Sequence, residues 1–481
     1  MLQWLKHTSR DAAQGVRDYG EAAMNETRLR IAVTGLSRAG KTVFITSLVH
    51  NLLALPRYDT LPQLSRQLRS AAGEHRLDAV RVLPPGSDDV AAFDYGEKLA
   101  ELAAAQPAWP PRTEGFAVLG LDLLLKRTGL LSKVEAFKHR RVRLELMDYP
   151  GEWLLDLPLL EQSYAVWSRE TLALLRQSPR AEACAGFLAL LPDLDPNRKA
   201  DHALLRQAHA LYREGLMACR TRYGLRFLQP GRFVCPGPGA ETPLLWFAPL
   251  EDPGERPAKG SAAALMRDRF EAYKADMRQR FFDTHFTAFD RQVVLVDVLG
   301  ALHAGRAAFE DTEKALAAIG TALRGEAGLL SRSLGGLAGG SLRRSAPGRV
   351  AFVATKADHV PELRRDNLRH LLRTLVQGDG APPRAGHGFH VAASVLATVD
   401  GTAQRDGRSI EVVRGVPLGE MVPRAFDPGE VPSSRPRPGF WNERFFELPV
   451  FAPPRIVADG SHGIPHLNLD AVLAELLEGA L

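Results

Sequence analysis

The chain has 481 residues, of which 45% are hydrophobic and 24% charged, and its net charge is only +5. That balance fits a globular protein with an ordinary core. It argues against a nucleic-acid partner, because the basic residues are spread along the chain rather than massed. Cys184, Cys219 and Cys235 lack CxxC spacing and are odd in number, which makes a poor disulfide framework and points to reduced thiols.

Residues 1–25 carry weak helical periodicity, with Leu2, Leu5, Ala12, Val16, Tyr19 and Ala23 on one face. They do not read as a secretory leader. A docking helix or a membrane or partner anchor both fit. The first strong strand is Arg28–Thr34, followed by a helix over Lys41–Ala54 that Pro56 ends. Residues 60–106 read as helical and polar, broken at Pro84-Pro85-Gly86. A second strand follows at Arg141–Met147, then a helix over Leu154–Gln177 and an apolar strand at Ala185–Leu191.

Ala262–Phe289 reads as one long helix, Val293–Val298 as a β-branched strand, and residues 325–348 as a basic Gly/Ser-rich stretch. That stretch suits a solvated loop or a contact with anionic lipid, and it lacks the aromatics that stack on single strands. Strand Arg349–Ala354, helix Pro361–Val376, short strand His390–Ser394 and a terminal helix Leu469–Leu477 complete the series. No uncharged apolar run approaches the roughly 18–20 residues that span a bilayer. The expectation is a cytoplasmic protein, at most peripheral to the inner membrane. Strands alternating with helices predict an α/β fold with a mostly parallel sheet flanked by helices. The core pieces would be about 28–55, 107–196, 291–305 and 349–398. Insertions would fall at about 56–106, 197–290 and 306–348, with an extension at 399–481.

Gly35-Leu36-Ser37-Arg38-Ala39-Gly40-Lys41-Thr42 matches GxxxxGK[ST], between a strand and a helix as that motif requires. Backbone N–H groups from Ser37 to Val43 would cradle phosphates, aided by the positive end of the helix. Lys41 would reach the β- and γ-phosphates, and Thr42 would place its hydroxyl on Mg²⁺. Asp148-Tyr149-Pro150-Gly151 ends the second strand. There Asp148 can hold Mg²⁺ through water and Gly151 can meet the γ-phosphate. Asp297 is a rival for the metal role, or else a strand-end carboxylate that caps a turn.

Thr355-Lys356-Ala357-Asp358 follows the strand Arg349–Ala354 and has the form [NT]KxD. Its Asp carboxylate can accept from guanine N1–H and the 2-amino group, while the Lys ammonium ties back to the phosphate loop. Ser394 and Val395 stand where a backbone N–H would meet the guanine oxygen. Thr113 lies between the P-loop and Asp148, as a γ-phosphate-sensing threonine on Mg²⁺ should. Arg112 beside it can act as an arginine in cis or be a surface residue of a Pro-rich turn.

Gly35–Thr42, Trp109–Thr113, Asp148–Trp153, Phe289–Asp297 and Thr355–Val360 together resemble the YcjX family of bacterial P-loop proteins. The resemblance covers nearly the whole chain, from about residue 10 to 480. It implies a stress-linked GTPase with large insertions, using GTP, GDP and Mg²⁺. It also implies a partnership with a YcjF-type inner-membrane protein, the two families being gene neighbours; it leaves the oligomeric state open.

The chain departs from a generic small GTPase in the long span from Gly35 to Ser394, in Thr355 where Asn is commoner, and in Glu152, which stands where a water-orienting Gln follows DxxG. A carboxylate there repels the γ-phosphate unless something neutralises it, so slow hydrolysis is expected. Two other functions remain open: a P-loop ATPase or small-molecule kinase, in which Asp358 does not read the base, and a nucleotide-stabilised scaffold for a membrane partner.

Overall fold

The structure, a computed structural model, describes residues 26–69, 76–84, 90–111, 115–127, 139–237, 242, 246–323, 348–382, 384–442, 448–458 and 462–481. Residues 1–25, the pair Arg112 and Thr113, and nearly all of the Gly/Ser-rich stretch lie outside them. Among the described residues no helix is long and apolar enough to cross a membrane.

The main sheet contains β1 (Glu26–Gly35), β2 (Leu77–Leu83), β3 (Ala91–Ala92), β4 (Ala117–Lys126), β5 (His139–Asp148), β6 (Arg291–Val296), β7 (Arg349–Ala354) and β8 (His387–Val391). Their order is β2-β4-β5-β1-β6-β7-β8, with β3 beside β4. From β5 to β8 neighbouring strands run parallel. β2 and β4 add an antiparallel flank. A separate antiparallel sheet holds β9 (Thr398–Arg405), β10 (Arg408–Gly415) and β11 (Arg424–Phe426).

Period-two burial explains the main sheet. Ile31, Val33, Val293, Leu295, Ala351 and Val353 face one layer, which α1 (Lys41–Ala54) fills with Phe44, Ile45 and Leu48. The intervening Ala32, Val294, Val296, Phe352 and Ala354 face the other layer. A third core, from Leu159 to Tyr273, stands apart from the sheet and is built of aromatics: Trp167, Tyr164, Phe187, Tyr212, Phe233, Phe247, Phe270 and Tyr273. It draws on part of the expected core piece 107–196 and most of the expected insertion 197–290.

Several sequence expectations are corrected. Ala185–Leu191 is not a strand; α4 (Ala185–Leu190), after α3 (Tyr164–Leu175), is a short helix in the aromatic core. Short apolar runs do not distinguish strand from buried helix, and AGFLAL holds no β-branched residue. Residues 60–106 are not wholly helical: Leu77–Leu83 joins the sheet edge as β2, and the helical part is α2 (Tyr95–Ala103) with a short turn of helix at Pro62–Gln67. The helix expected over Leu154–Gln177 is a 3-10 segment, Gly151–Glu161, and then α3, because Pro158 cannot continue an α-ladder. The long helix at Ala262 stops at Met277 and passes into a π-turn over Arg278–Phe282. β6 ends two residues early, leaving Asp297 as a cap, and β8 ends at Val391 rather than Ser394.

Candidate functional site

Register places the chemistry on one edge. Val33 pairs with Asp148, Gly35 with Leu295, and Val296 with Ala354. The residues just past these pairs are the P-loop, the Asp148–Gly151 turn, Asp297 and Thr355. All leave the carboxyl ends of parallel strands, where α/β folds hold ligands.

The P-loop has the backbone its chemistry needs. Arg38 has φ 69° and Gly40 φ 80°, both left-handed. A side chain in that region costs roughly 1–2 kcal/mol, a cost that Arg38 carries here. Such alternation turns successive N–H groups inward to an anion. Ala39 N donates to Leu36 O at 3.1 Å, and Phe44 N to Gly40 O at 2.9 Å, so the loop runs directly into α1. Lys41 Nζ donates to Gly35 O at 3.1 Å, folded over the loop. Ser37, Ala39 and Thr42 are buried.

The second turn packs onto the first. Tyr149 N donates to Val33 O and Thr34 Oγ1 to Tyr149 O, extending the β1–β5 ladder past the strand ends. A Cβ on Gly151 would lie 2.7 Å from Gly35 C and 2.9 Å from Gly35 O, so only glycine allows this approach. Asp148 and Thr42 are both buried at this point. Their hydroxyl and carboxylate oxygens are the hard donors that suit Mg²⁺, which is held by one or two protein oxygens plus phosphates.

Glu152 is enclosed by a turn from the helical part of the chain. Gly231 abuts it so closely that a Cβ would lie 2.0 Å from Glu152 O. Asp156 holds that turn by accepting from Gly231 N at 2.7 Å, from Arg232 N at 3.2 Å and from the Tyr273 hydroxyl. Burial pushes the Asp156 carboxyl up to about 6, which these bonds and Arg232 only partly offset. Burial, then the Glu152 charge, pushes the Cys235 thiol up to about 12, with Arg220 and Lys41 opposing.

Two arginines that no motif marks arrive from the same helical part. α5 (His202–Thr221), capped by Asp201, carries Arg220 in its last turn. Arg220 Nη2 lies 3.3 Å from Ser37 Oγ and 3.9 Å from Glu152 Oε1, and Nη1 donates to Val234 O at 2.6 Å. Arg226 follows it in the chain. Burial pushes Arg226 down, Asp297 and Glu152 pull it up, and Arg38 and Arg220 push it down. Arg213 and Arg220, two helical turns apart, donate to the successive carbonyls of Phe233 and Val234.

At the far end of the edge, Thr355 is buried and donates its backbone N–H to Val296 O at 3.0 Å. Lys356 is left-handed, with φ 60°. Its ammonium meets Asp297 Oδ2 at 2.5 Å rather than the P-loop. Asp297 Oδ1 accepts from Gly300 N at 2.9 Å, the cap of α6 (Val298–His303). Burial alone would raise the Asp297 carboxyl, but Lys356, Gly300 N–H and Arg226 hold it below its ordinary value.

Asp358 is buried; its Oδ2 accepts from Ala397 N at 2.9 Å and Thr398 N at 3.1 Å, and the Thr398 hydroxyl donates to the Asp358 backbone O at 2.6 Å. Its other oxygen accepts from no described residue. Ser394 is half-buried, and Val395 joins a small cluster with Leu102, against which Val43 and Trp109 pack. The structure thus brings the P-loop, Asp148, Gly151 and Glu152 into one cluster. Just past the 394–395 segment, the backbone N–H groups of Ala397 and Thr398 bond the Asp358 carboxylate.

Residues 29–481 match the family described as YcjX-like family, DUF463. The chain is 38% identical over 465 residues to the Ras-like GTPase YcjX of Escherichia coli (strain K12), covering 94% of this chain and 96% of that protein. It is 34% identical over 482 residues to the Ras-like GTPase YcjX of Shewanella oneidensis, covering 94% of each. The chain belongs to the YcjX-like family. The motifs on this edge are therefore read within a family two of whose members carry a GTPase name.

Proposed function

We propose that this YcjX-like protein binds GTP with Mg²⁺ and hydrolyses it to GDP, acting as a slow, stress-related switch. One observation carries the reading. A P-loop with left-handed residues, a glycine wedged against it from the neighbouring Asp148 turn, and a TKxD segment two strands to the other side share one end of the sheet. The names of the relatives agree with its GTPase part.

In this reading the P-loop N–H groups and Lys41 bind the β- and γ-phosphates, and Gly151 N–H senses the γ-phosphate. Mg²⁺, held by the Thr42 hydroxyl, by Asp148 through water and by Thr113, would neutralise phosphate charge. Asp358 reads the base through the oxygen that Ala397 and Thr398 leave open. Positioning and electrostatics do the work, because phosphoryl transfer asks little covalent chemistry of the protein.

The same Asp358 bonding favours a second reading, a P-loop ATPase or kinase, since a carboxylate oxygen already spent on the protein reads guanine less fully. The test is retention and turnover of labelled GTP against ATP by the full chain. Preferential GTP binding with GDP release supports the first reading. Preference for ATP overturns it.

A further inference from the structure

We propose that Arg220 is a catalytic arginine supplied in cis by the helical part of the chain, which neutralises the charge developing on the γ-phosphoryl group. The inference rests on the GTPase reading above and gives the cis-arginine role to a residue other than Arg112.

Location is the first argument. Arg220 Nη2 stands between Ser37 Oγ at 3.3 Å and Glu152 Oε1 at 3.9 Å. Ser37 lies within the phosphate-binding turn, and Glu152 follows the glycine packed on it. The γ-phosphoryl group of a bound triphosphate would lie between these two segments.

Unspent donors are the second. A guanidinium has five N–H groups. Here Nη1 meets Val234 O at 2.6 Å and Nη2 meets Ser37, while Nε is buried with no hydrogen-bond partner among the described residues. The side chain is only 12% exposed, and its nearest carboxylate stays at 3.9 Å, too far for a hydrogen bond. A desolvated cation with unmade bonds is costly, and an anion docking against it removes that cost.

Rigid support is the third. Leu205, Ala208, Tyr212, Leu216 and Cys219 fix α5 in the aromatic core. The Val234 carbonyl sits on the turn that Asp156 holds. Arg220 also removes the objection to Glu152: its charge faces that carboxylate at rest and offsets the repulsion of a triphosphate.

In the step itself, the oxygen of water bonds to the γ-phosphorus as the bond to the β–γ bridging oxygen breaks. The electron pair leaves with GDP, and the water proton goes to the phosphate product. Arg220 donates to the oxygens on which negative charge grows. An arginine finger of this kind is worth roughly 10³–10⁵ in rate.

The test is single-turnover GTP hydrolysis by the full chain, beside capture of aluminium fluoride with GDP and Mg²⁺, which mimics the planar γ-phosphoryl group. Arg220→Ala should lower the rate by about a hundredfold or more and abolish the capture. GDP affinity should stay within about threefold. Arg220→Gln, which keeps hydrogen-bonding groups for Val234 and Ser37, guards against misfolding and should behave like Arg220→Ala. Arg220→Lys should not restore the rate, because a point charge lacks the planar fork.

Arg226 is the competitor, with no ion pair within 4 Å among the described residues. Loss of rate in Arg226→Ala with none in Arg220→Ala overturns the proposal, as does equal turnover by wild type and Arg220→Ala. A wild type that neither binds nor turns over GTP sinks the GTPase reading itself, and the assignment of Arg220 falls with it.

Discussion

The two ends of the nucleotide edge are built differently. At the phosphate end most of the geometry comes from one short run, in which Arg38 and Gly40 are left-handed and Lys41 folds over Gly35, while Gly151 is pressed onto it from the Asp148 turn. At the base end each charged side chain has taken a partner within the protein. Lys356 holds Asp297 at 2.5 Å, and Asp358 accepts from Ala397 and Thr398. The lesson is that a motif whose work is done by backbone specifies its own geometry. A motif whose work is done by long side chains specifies only where they start.

The largest expected break is at the phosphate end. Lys41→Ala removes a charged donor that the loop holds in place. A hydrogen bond to a charged group is worth about 1.5–3 kcal/mol, so triphosphate affinity should fall tenfold or more in a titration with labelled GTP. Unchanged affinity would mean that the preformed loop does not bind phosphate.

Gly151→Ala comes next. Its Cβ would lie 2.7 Å from the Gly35 backbone, which has no flexible end to yield. Overpacking costs about 1–3 kcal/mol. Stability without nucleotide and affinity for GTP should both drop, measured by thermal melting and by titration. A variant as stable as wild type would show that the two turns are not in contact.

Lys356→Met sharpens the contrast from the base end. Asp297 has a folded pKa below its ordinary 3.8. The stability it contributes is therefore present above pH 3.8 and is lost as pH falls through the lower folded value. Removing Lys356 should cost about 1 kcal/mol at pH 7, discounted because the ammonium is 38% exposed. The acid limb of the stability curve should flatten. Denaturant melts between pH 3 and 7 measure both, and an unaltered acid limb would place the Asp297 shift on Gly300 and Arg226 instead.

Much of the fold was legible because its central strands are β-branched and buried on both faces. β7 and the terminal helix Leu469–Leu477 fall where the pattern puts them. β4 was not legible. Its Leu119, Leu121, Leu123 and Leu125 alternate inward, but Val118 and Leu124 put apolar side chains at the intervening positions, and Gly120 weakens the strand signal. α4 was misread because six apolar residues carry no period long enough to separate helix from strand. In the site, residues contiguous with a motif were legible. Arg220, Arg226, Ala397 and Thr398 were not, since each reaches the edge only through packing that is distant in sequence.

The central claim is that the edge binds a guanine triphosphate with its base read by Asp358, and one competition measures it: GTP, ATP and XTP against a labelled nucleotide, on wild type and Asp358→Asn. Wild type should prefer GTP. The variant should shift toward XTP, because the amide N–H₂ can meet the carbonyl that xanthine has in place of the 2-amino group. Its single amide oxygen can keep accepting from Ala397 N and Thr398 N, which leaves the N–H₂ facing the base. Full selectivity of this kind reaches about 10⁴–10⁵ at best, and sharing of the carboxylate with Ala397 and Thr398 predicts a smaller ratio here. A wild type that prefers ATP, or a variant that keeps its preference for GTP, would contradict the account.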